Sequence, residues 1–156
     1  MKISEVQIAV KRMLEEDEGV RLSRAAVVAA DDAETAAEVE RALAETALAV
    51  VVLAPAWRPT STGARKPVGD LTVVVRVAEK PAINREEAGF TAGCDLAEHV
   101  AAALNLATPD GPGSPLVIGD AGISASLGPD KATVVWDVSF RLLHQLVDSS
   151  ALSTQH

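Results

Sequence analysis

The 156-residue sequence contains no tyrosine, and only 3% of its residues are aromatic. Proteins that bind single-stranded nucleic acid stack bases on aromatic rings, so this scarcity argues against that class. Acidic residues outnumber basic ones, 22 against 14, which gives a formal net charge of −8. Specific nucleic-acid binding is therefore not expected, because affinity for phosphates depends mainly on clustered lysine and arginine.

The sequence is equally poor in the features of secreted and membrane proteins. Its single cysteine, Cys94, cannot form an intramolecular disulfide or a cysteine-based zinc site. The longest apolar run, residues 47–56, contains Pro55 and is far shorter than the roughly 18 residues of a membrane span. The N-terminus shows no apolar segment typical of a secretory signal. We therefore expect an acidic, soluble, cytoplasmic protein that does not bind membranes.

Apolar residues make up 48% of the chain, enough to form a core at this length. We predict one domain over residues 1–146 and a disordered tail at 147–156, which is polar and small. Helix and strand periodicities alternate along the domain. Three helices are predicted: residues 4–16, which begin with a Ser4–Gln7 capping box; residues 31–47, which Asp31 caps; and a third that begins at Thr91. The predicted strands are 24–30, 49–57, 70–80, 116–127 and 132–145.

The strand pattern indicates how the sheet is arranged. Within residues 70–80 and 132–145, every second side chain from Leu71 to Val77 and from Val134 to Leu142 is apolar, as in strands with one buried face, whereas 49–53 is apolar on both faces. The class predicted is α+β, with a mostly antiparallel sheet of about four to five strands and two or three helices packed on one face. Strands 49–57, 70–80 and 132–145 should be neighbours. The predicted core includes Val73, Val75, Trp136, Val138 and Phe140.

Residues that could carry chemistry have simpler structural interpretations. Asp95 and His99 share a helix face and could act as an acid–base or metal pair, but an exposed polar face explains them as well. The neighbouring carboxylates at 31–32 fit helix capping. Cys94 could be an activated thiol, although a small buried side chain is the preferred interpretation. No glycine-rich phosphate loop or nucleophile elbow is present. We therefore predict no catalytic residue, no cofactor and no metal.

The most individual segment is Glu79-Lys80-Pro81-Ala82-Ile83-Asn84-Arg85. Pro81 ends a strand, Ile83 is expected to anchor the loop in the core, and Asn84 can bond the backbone. Arg85 would then be available to a carboxylate on this subunit or on a neighbour. An ordinary capped loop is the alternative interpretation.

The chain resembles the tail-terminator and tail-completion proteins of long-tailed bacteriophages and prophages. The resemblance spans roughly residues 3–146. It rests on the first helix ISEVQIAVKRML, the strand pair ALAVVVLAPAW and DLTVVVRVAEKP, PAINR before the helix CDLAEHVAAALNL, and the closing strand ATVVWDVSFRLLHQL. It implies a tail-terminator-like fold that assembles as a homo-oligomeric, commonly hexameric ring on the tail tube protein. It also implies a head-completion protein as partner, no catalytic residues, and a place in the virion tail, preceded during assembly by the cytoplasm of the bacterial host.

The connection at residues 58–69 is the second candidate contact. It carries Arg58, Arg65 and Lys66 and no acidic residue, so its charge is opposite to that of the whole protein. We expect this arm to be mobile in the free subunit and to bind an acidic surface of a neighbouring subunit or of the tail tube. The predicted assembly contacts are thus Arg58, Arg65, Lys66, Asn84 and Arg85.

Two other classes of function remain open from the sequence. One is a small enzyme or ligand-binding domain, which a deep polar-lined pocket would indicate. The other is an adaptor domain outside phages that binds a peptide at a sheet edge.

Overall fold

The computed structural model describes residues 2–30, 33–60, 66–109 and 113–146. The predicted tail at 147–156 and the predicted cap at Asp31 lie outside these ranges. The helices are α1 (Ile3–Glu16), α2 (Glu18–Leu22), α3 (Ala33–Thr46), α4 (Pro81–Asn84) and α5 (Gly93–Leu104). The strands are β1 (Ala26–Ala29), β2 (Leu48–Val52), β3 (Ala56–Pro59), β4 (Val68–Glu79), β5 (Val117–Leu127) and β6 (Val134–Leu146).

The strands form one open sheet in the order β1-β2-β4-β6-β5, with β3 paired to the first half of β4. The β1–β2 pair is parallel and the other pairs are antiparallel. The predicted α+β class and the adjacency of β2, β4 and β6 are confirmed. The sheet has six strands because Pro55 lies in a break that divides the predicted strand 49–57 into β2 and β3.

The main core lies between one face of the sheet and helices α1, α2 and α5. Alternate residues of β4 point into it, and Val73 and Val75 are fully buried, as are Val138 and Phe140 of β6. Trp136, near the start of β6, is partly buried and packs against the same cluster. The predicted core is therefore confirmed, with Trp136 at its margin.

Helix α3 packs on the opposite face of the sheet, which corrects the prediction that the helices share one face. Its Ala42 and Leu43 contact Ala49 of β2 and Ala78 of β4 in a second, smaller cluster. The physical reason is the burial of β2, whose five residues are all buried and therefore need cover on both sides. Small side chains at this contact allow α3 to lie close to the sheet.

The N-terminal helices differ from prediction at both ends of α1. Gln7 makes no capping box with Ser4; it is buried, and its Nε2 donates to the carbonyl oxygens of Ala30 and Val52, both at 3.0 Å. The run of acidic residues 15–18 by itself predicts fraying at the end of α1, because the helix dipole disfavours negative charge there. Instead Asp17 caps α2, its Oδ1 accepting from the amide of Val20 at 3.0 Å. Asp17 and Glu18 thus lie at the N-terminus of α2, where the dipole favours negative charge, whereas Glu15 and Glu16 end α1.

Candidate assembly surface

Two basic residues of the predicted arm, Arg58 and Lys66, lie where β3 ends and where β4 begins. Arg58 is exposed in β3, opposite Asp70 of β4, and Lys66 is exposed just before β4. The amide of Thr60 donates to the carbonyl of Val68 at 2.9 Å. The ends of the arm are therefore paired strand, contrary to the expected mobility of the whole connection, while Arg65 lies outside the described residues.

A shallow groove of about 490 Å³ runs beside Arg58, on the part of the sheet face opposite the main core that α3 does not cover. Its floor contains Asp70 and Arg141, whose Nη2 lies 2.6 Å from Asp70 Oδ2. The amide of His144 also donates to Asp70, at 3.2 Å. Burial would raise the pKa of Asp70, but the bonds from His144 and Arg141 outweigh it and lower that pKa. The groove is thus polar, and the charge of Arg141 is already compensated.

The PAINR segment forms the short helix α4, with Pro81 at its first position. Asn84 is buried, and its Nδ2 donates to Glu79 Oε2 at 2.5 Å and to the carbonyl of Thr91 at 2.8 Å. Asn84 therefore joins the end of β4 to the segment that leads into α5. Thr91 contributes its carbonyl to this contact instead of capping α5, whose N-cap is Ala92 and has no side-chain bond.

Glu79 is the centre of this cluster; it was noted in the sequence as the start of the segment 79–85, but no role was predicted for it. Its side chain is fully buried, and its Oε1 has no hydrogen-bond partner among the described residues. Arg85 Nη2 lies 3.9 Å from that oxygen, and the Arg85 side chain is half exposed. The carboxyl at the end of an otherwise apolar alternation was the available signal, because a polar residue at a core position requires partners.

Close packing against Glu79 also explains Gly93 at the start of α5. A Cβ at this position would lie 2.4 Å from Trp136 Cζ3 and 3.0 Å from Glu79 Cβ. Glycine is needed here because no side chain fits between the helix, the indole and the carboxyl-bearing strand.

Ile83 does not anchor the PAINR loop in the core, as the sequence suggested, since half of it is exposed. It lines a groove of about 240 Å³ together with the exposed side chains of Leu22 and Phe90. The short helix α4 directs Asn84 inward, and Ile83 consequently faces this groove at the surface.

The histidine singled out from the sequence has a different partner from the one considered. His99 Nε2 lies 2.5 Å from Asp17 Oδ1, joining α5 to the beginning of α2. Burial would raise the pKa of Asp17, but the bonds from His99 and the Val20 amide lower it overall. The pair is a tertiary contact between helices; Asp95 instead lies 3.8 Å from the sulfur of exposed Cys94. The expected burial of Cys94 is thus wrong.

Replacing Asp17 should test the two bonds that it makes, the cap of α2 and the contact with His99. We expect Asp17→Ala to destabilise folding by about 1 kcal/mol, since it removes the α2 cap, and Asp17→Asn to cost less because the amide oxygen can still cap. A lowered pKa in the folded state stabilises the protein above the ordinary aspartate range, and this contribution is lost as the pH falls through the folded value. Urea titrations at neutral and acidic pH should therefore show a smaller difference between Asp17→Ala and wild type in acid. An equal difference at both pH values would contradict the contact.

No group of three or more histidine, cysteine, aspartate or glutamate residues within the described ranges could hold a metal ion. In the same part of the chain, no helix is both long and apolar enough to cross a bilayer. The polar groups around Glu79 hydrogen-bond within their own cluster, and so do those around Asp17. Both clusters join elements of the fold to one another.

The architecture is that of an open, mostly antiparallel sheet with helices on both faces. The same fold occurs in a chain of the "virion of native gene transfer agent (GTA) particle", with a TM-score of 0.63 and 18% sequence identity. The similarity covers 90% of this chain and 95% of that one. No family model and no curated protein sequence matches. At this identity, the comparison shows the shared fold.

Proposed function

We propose that the protein is a structural component of a phage-like virion that assembles as a ring at the end of the tail tube, terminates the tail and joins it to the head-completion proteins. The observation that carries this proposal is the fold shared with a chain of a gene transfer agent virion over nearly the full length of both chains. A match across 95% of the other chain is what two versions of one small subunit would give, rather than one shared module within different proteins.

The surface charges support a role in assembly. Arg58 and Lys66 are exposed at the β3–β4 end of a protein whose net charge is −8, and Arg85 is half exposed at α4. Ring contacts between different faces can use such charges, since basic and acidic surfaces of adjacent subunits attract each other. Asn84 is buried and bonded within the subunit, so in this proposal it acts by holding the segment that presents Arg85.

Deleting the gene from a bacterium that produces the particle tests the proposal. We expect heads and tails that are not joined in electron micrographs, because the tube end would lack its ring, and restoration of whole particles by the wild-type gene. Intact, joined particles from the deletion strain would overturn the tail role.

The basic end of the β3–β4 turn can be tested in the same strain. We expect the double variant Arg58→Gln and Lys66→Gln to fold with nearly wild-type stability, because both side chains are exposed and no second carboxylate is placed opposite Asp70, and to restore at least about tenfold fewer joined particles. Arg41→Gln on α3 is a matched control, since it also neutralises an exposed arginine but lies away from β3 and β4. Equal complementation by the double variant and the control would show that this turn makes no assembly contact.

A further inference from the structure

The sheet exposes three edge strands within the described residues, and two of them are protected against pairing. Strand β1 has only four residues, and helices α1 and α3 cover its two faces. Strand β3 has four residues, follows Pro55, ends at Pro59 and carries Arg58. Short length, proline and charge are the usual devices that prevent an edge from pairing with another chain.

The third edge, β5, has no such device in its second half. The asparagine Oδ1 of Asn105 reaches the amide of Ile118 at the start of the strand, and the register with β6 shifts between Ile118 and Ile123. Residues 123–127 then pair regularly with β6, and all five are exposed. This segment, Ile-Ser-Ala-Ser-Leu, contains no charge, no proline and no bulge, and Leu127 is 65% exposed.

The side chains of this segment alternate in a pattern that reads similarly in both directions. Ile123, Ala125 and Leu127 pair with β6 residues on the face of the sheet that bears the main core. Ser124 and Ser126 lie on the other face. In an antiparallel pair of two such segments centred on Ala125, each isoleucine would oppose a leucine and each Ser124 would oppose a Ser126. Apolar pairs and hydroxyl pairs both stabilise antiparallel strands.

We propose that two copies of the chain form a two-fold dimer by antiparallel pairing of residues 123–127 of β5, which joins their sheets into one. The self-complementary pattern identifies the partner as a second copy. The lack of charge in the segment supports this choice, since two subunits of net charge −8 can meet there without placing like charges opposite each other. The half-buried Trp136, opposite Ala125 on β6, would lie beside the contact.

This two-fold contact goes beyond the proposed role in tails and does not depend on it. A ring is built from contacts between different faces, whereas the β5 pair uses the same face twice and closes after two subunits. The contact is five residues long, so we expect a weak dimer whose population rises with protein concentration.

Sedimentation of the purified full chain over a dilution series tests the proposal. The variant Ser124→Lys with Ser126→Lys would place a lysine opposite a lysine at both positions, and we expect its dissociation constant to rise by about tenfold or more. The variant Ser124→Lys with Ser126→Glu would place opposite charges there and should dimerise at least as well as wild type. Both variants alter exposed side chains, and thermal melts monitor that they remain folded.

Loss of the dimer in the double-lysine variant and its retention in the lysine–glutamate variant would support the proposal. A wild-type protein that remains monomeric at the highest concentration would overturn it, as would a dimer that both variants form equally. These results are read on the isolated protein, so they are distinct from the failure or success of particle assembly.

Discussion

The variant Phe140→Ala should lose about 3–5 kcal/mol of unfolding free energy, the largest effect expected from one substitution in this chain. The ring of Phe140 is fully buried in the main core, where β6 pairs with β4 at Val73. Removing the ring leaves a cavity between the sheet and the helices. The surrounding elements are closely packed, so they cannot move far enough to fill it. Urea denaturation followed by circular dichroism measures the change.

Two variants serve as controls for this result. Trp136→Ala should cost less than Phe140→Ala, even though the residue is larger, because the indole is only half-buried. Leu22→Ala should change stability by no more than about 0.5 kcal/mol, since Leu22 is 74% exposed. A cost at Trp136 that equals or exceeds the cost at Phe140 would contradict the described position of β6 against the helices.

The second large effect is expected at Asn84. The variant Asn84→Ala should lose about 2–4 kcal/mol, because it leaves both the buried Glu79 carboxyl and the Thr91 carbonyl without their donor. Arg85 does not hydrogen-bond this carboxyl in the structure, since its Nη2 lies 3.9 Å from Glu79 Oε1. Thermal and urea unfolding of the variant measure the loss.

A double-mutant cycle separates this bond from the general cost of altering α4. We expect Glu79→Met with Asn84→Leu to cost at least about 1 kcal/mol less than the sum of the two single variants, because neither buried polar partner is then left alone. Additive costs would mean that Glu79 and Asn84 contribute independently.

The sequence was sufficient to predict the strands and most of the core. Alternation in β4 and β6 has a period of two that places Val73, Val75, Val138 and Phe140 on one face, and a one-residue error would have reversed every assignment. The side of the sheet covered by α3 was predicted wrongly, since all helices were expected on one face. The signal was present in β2, whose residues are apolar throughout, because a strand buried on both faces needs a layer on each side.

The polar contacts were harder to predict because they join residues far apart in the chain. Asp17 and His99 are 82 positions apart, and no local pattern pairs them. A capping box was predicted from the spacing of Ser4 and Gln7, but tertiary packing directs Gln7 to the ends of two strands. Sequence spacing describes bonds within one element, whereas these side chains bond to the elements packed against them.

The sequence indicated that PAINR is an individual segment, but only part of its geometry was predicted. Asn84 bonds a backbone carbonyl as expected, but its other partner is the buried Glu79, and Ile83 lies at the surface instead of in the core. Which residue of a short turn points inward depends on whether the turn is helical, and Pro81 is compatible with both possibilities.

The position of the protein in the virion is the most direct test of the proposed function. Purified particles that carry an epitope-tagged copy of the chain can be labelled with gold-conjugated antibody and imaged by electron microscopy. The account predicts gold at the junction between tail and head in joined particles and at the matching end of free tails. Gold distributed over the head surface or at the distal tail tip, or a tagged and functional chain that is absent from particles, would contradict it.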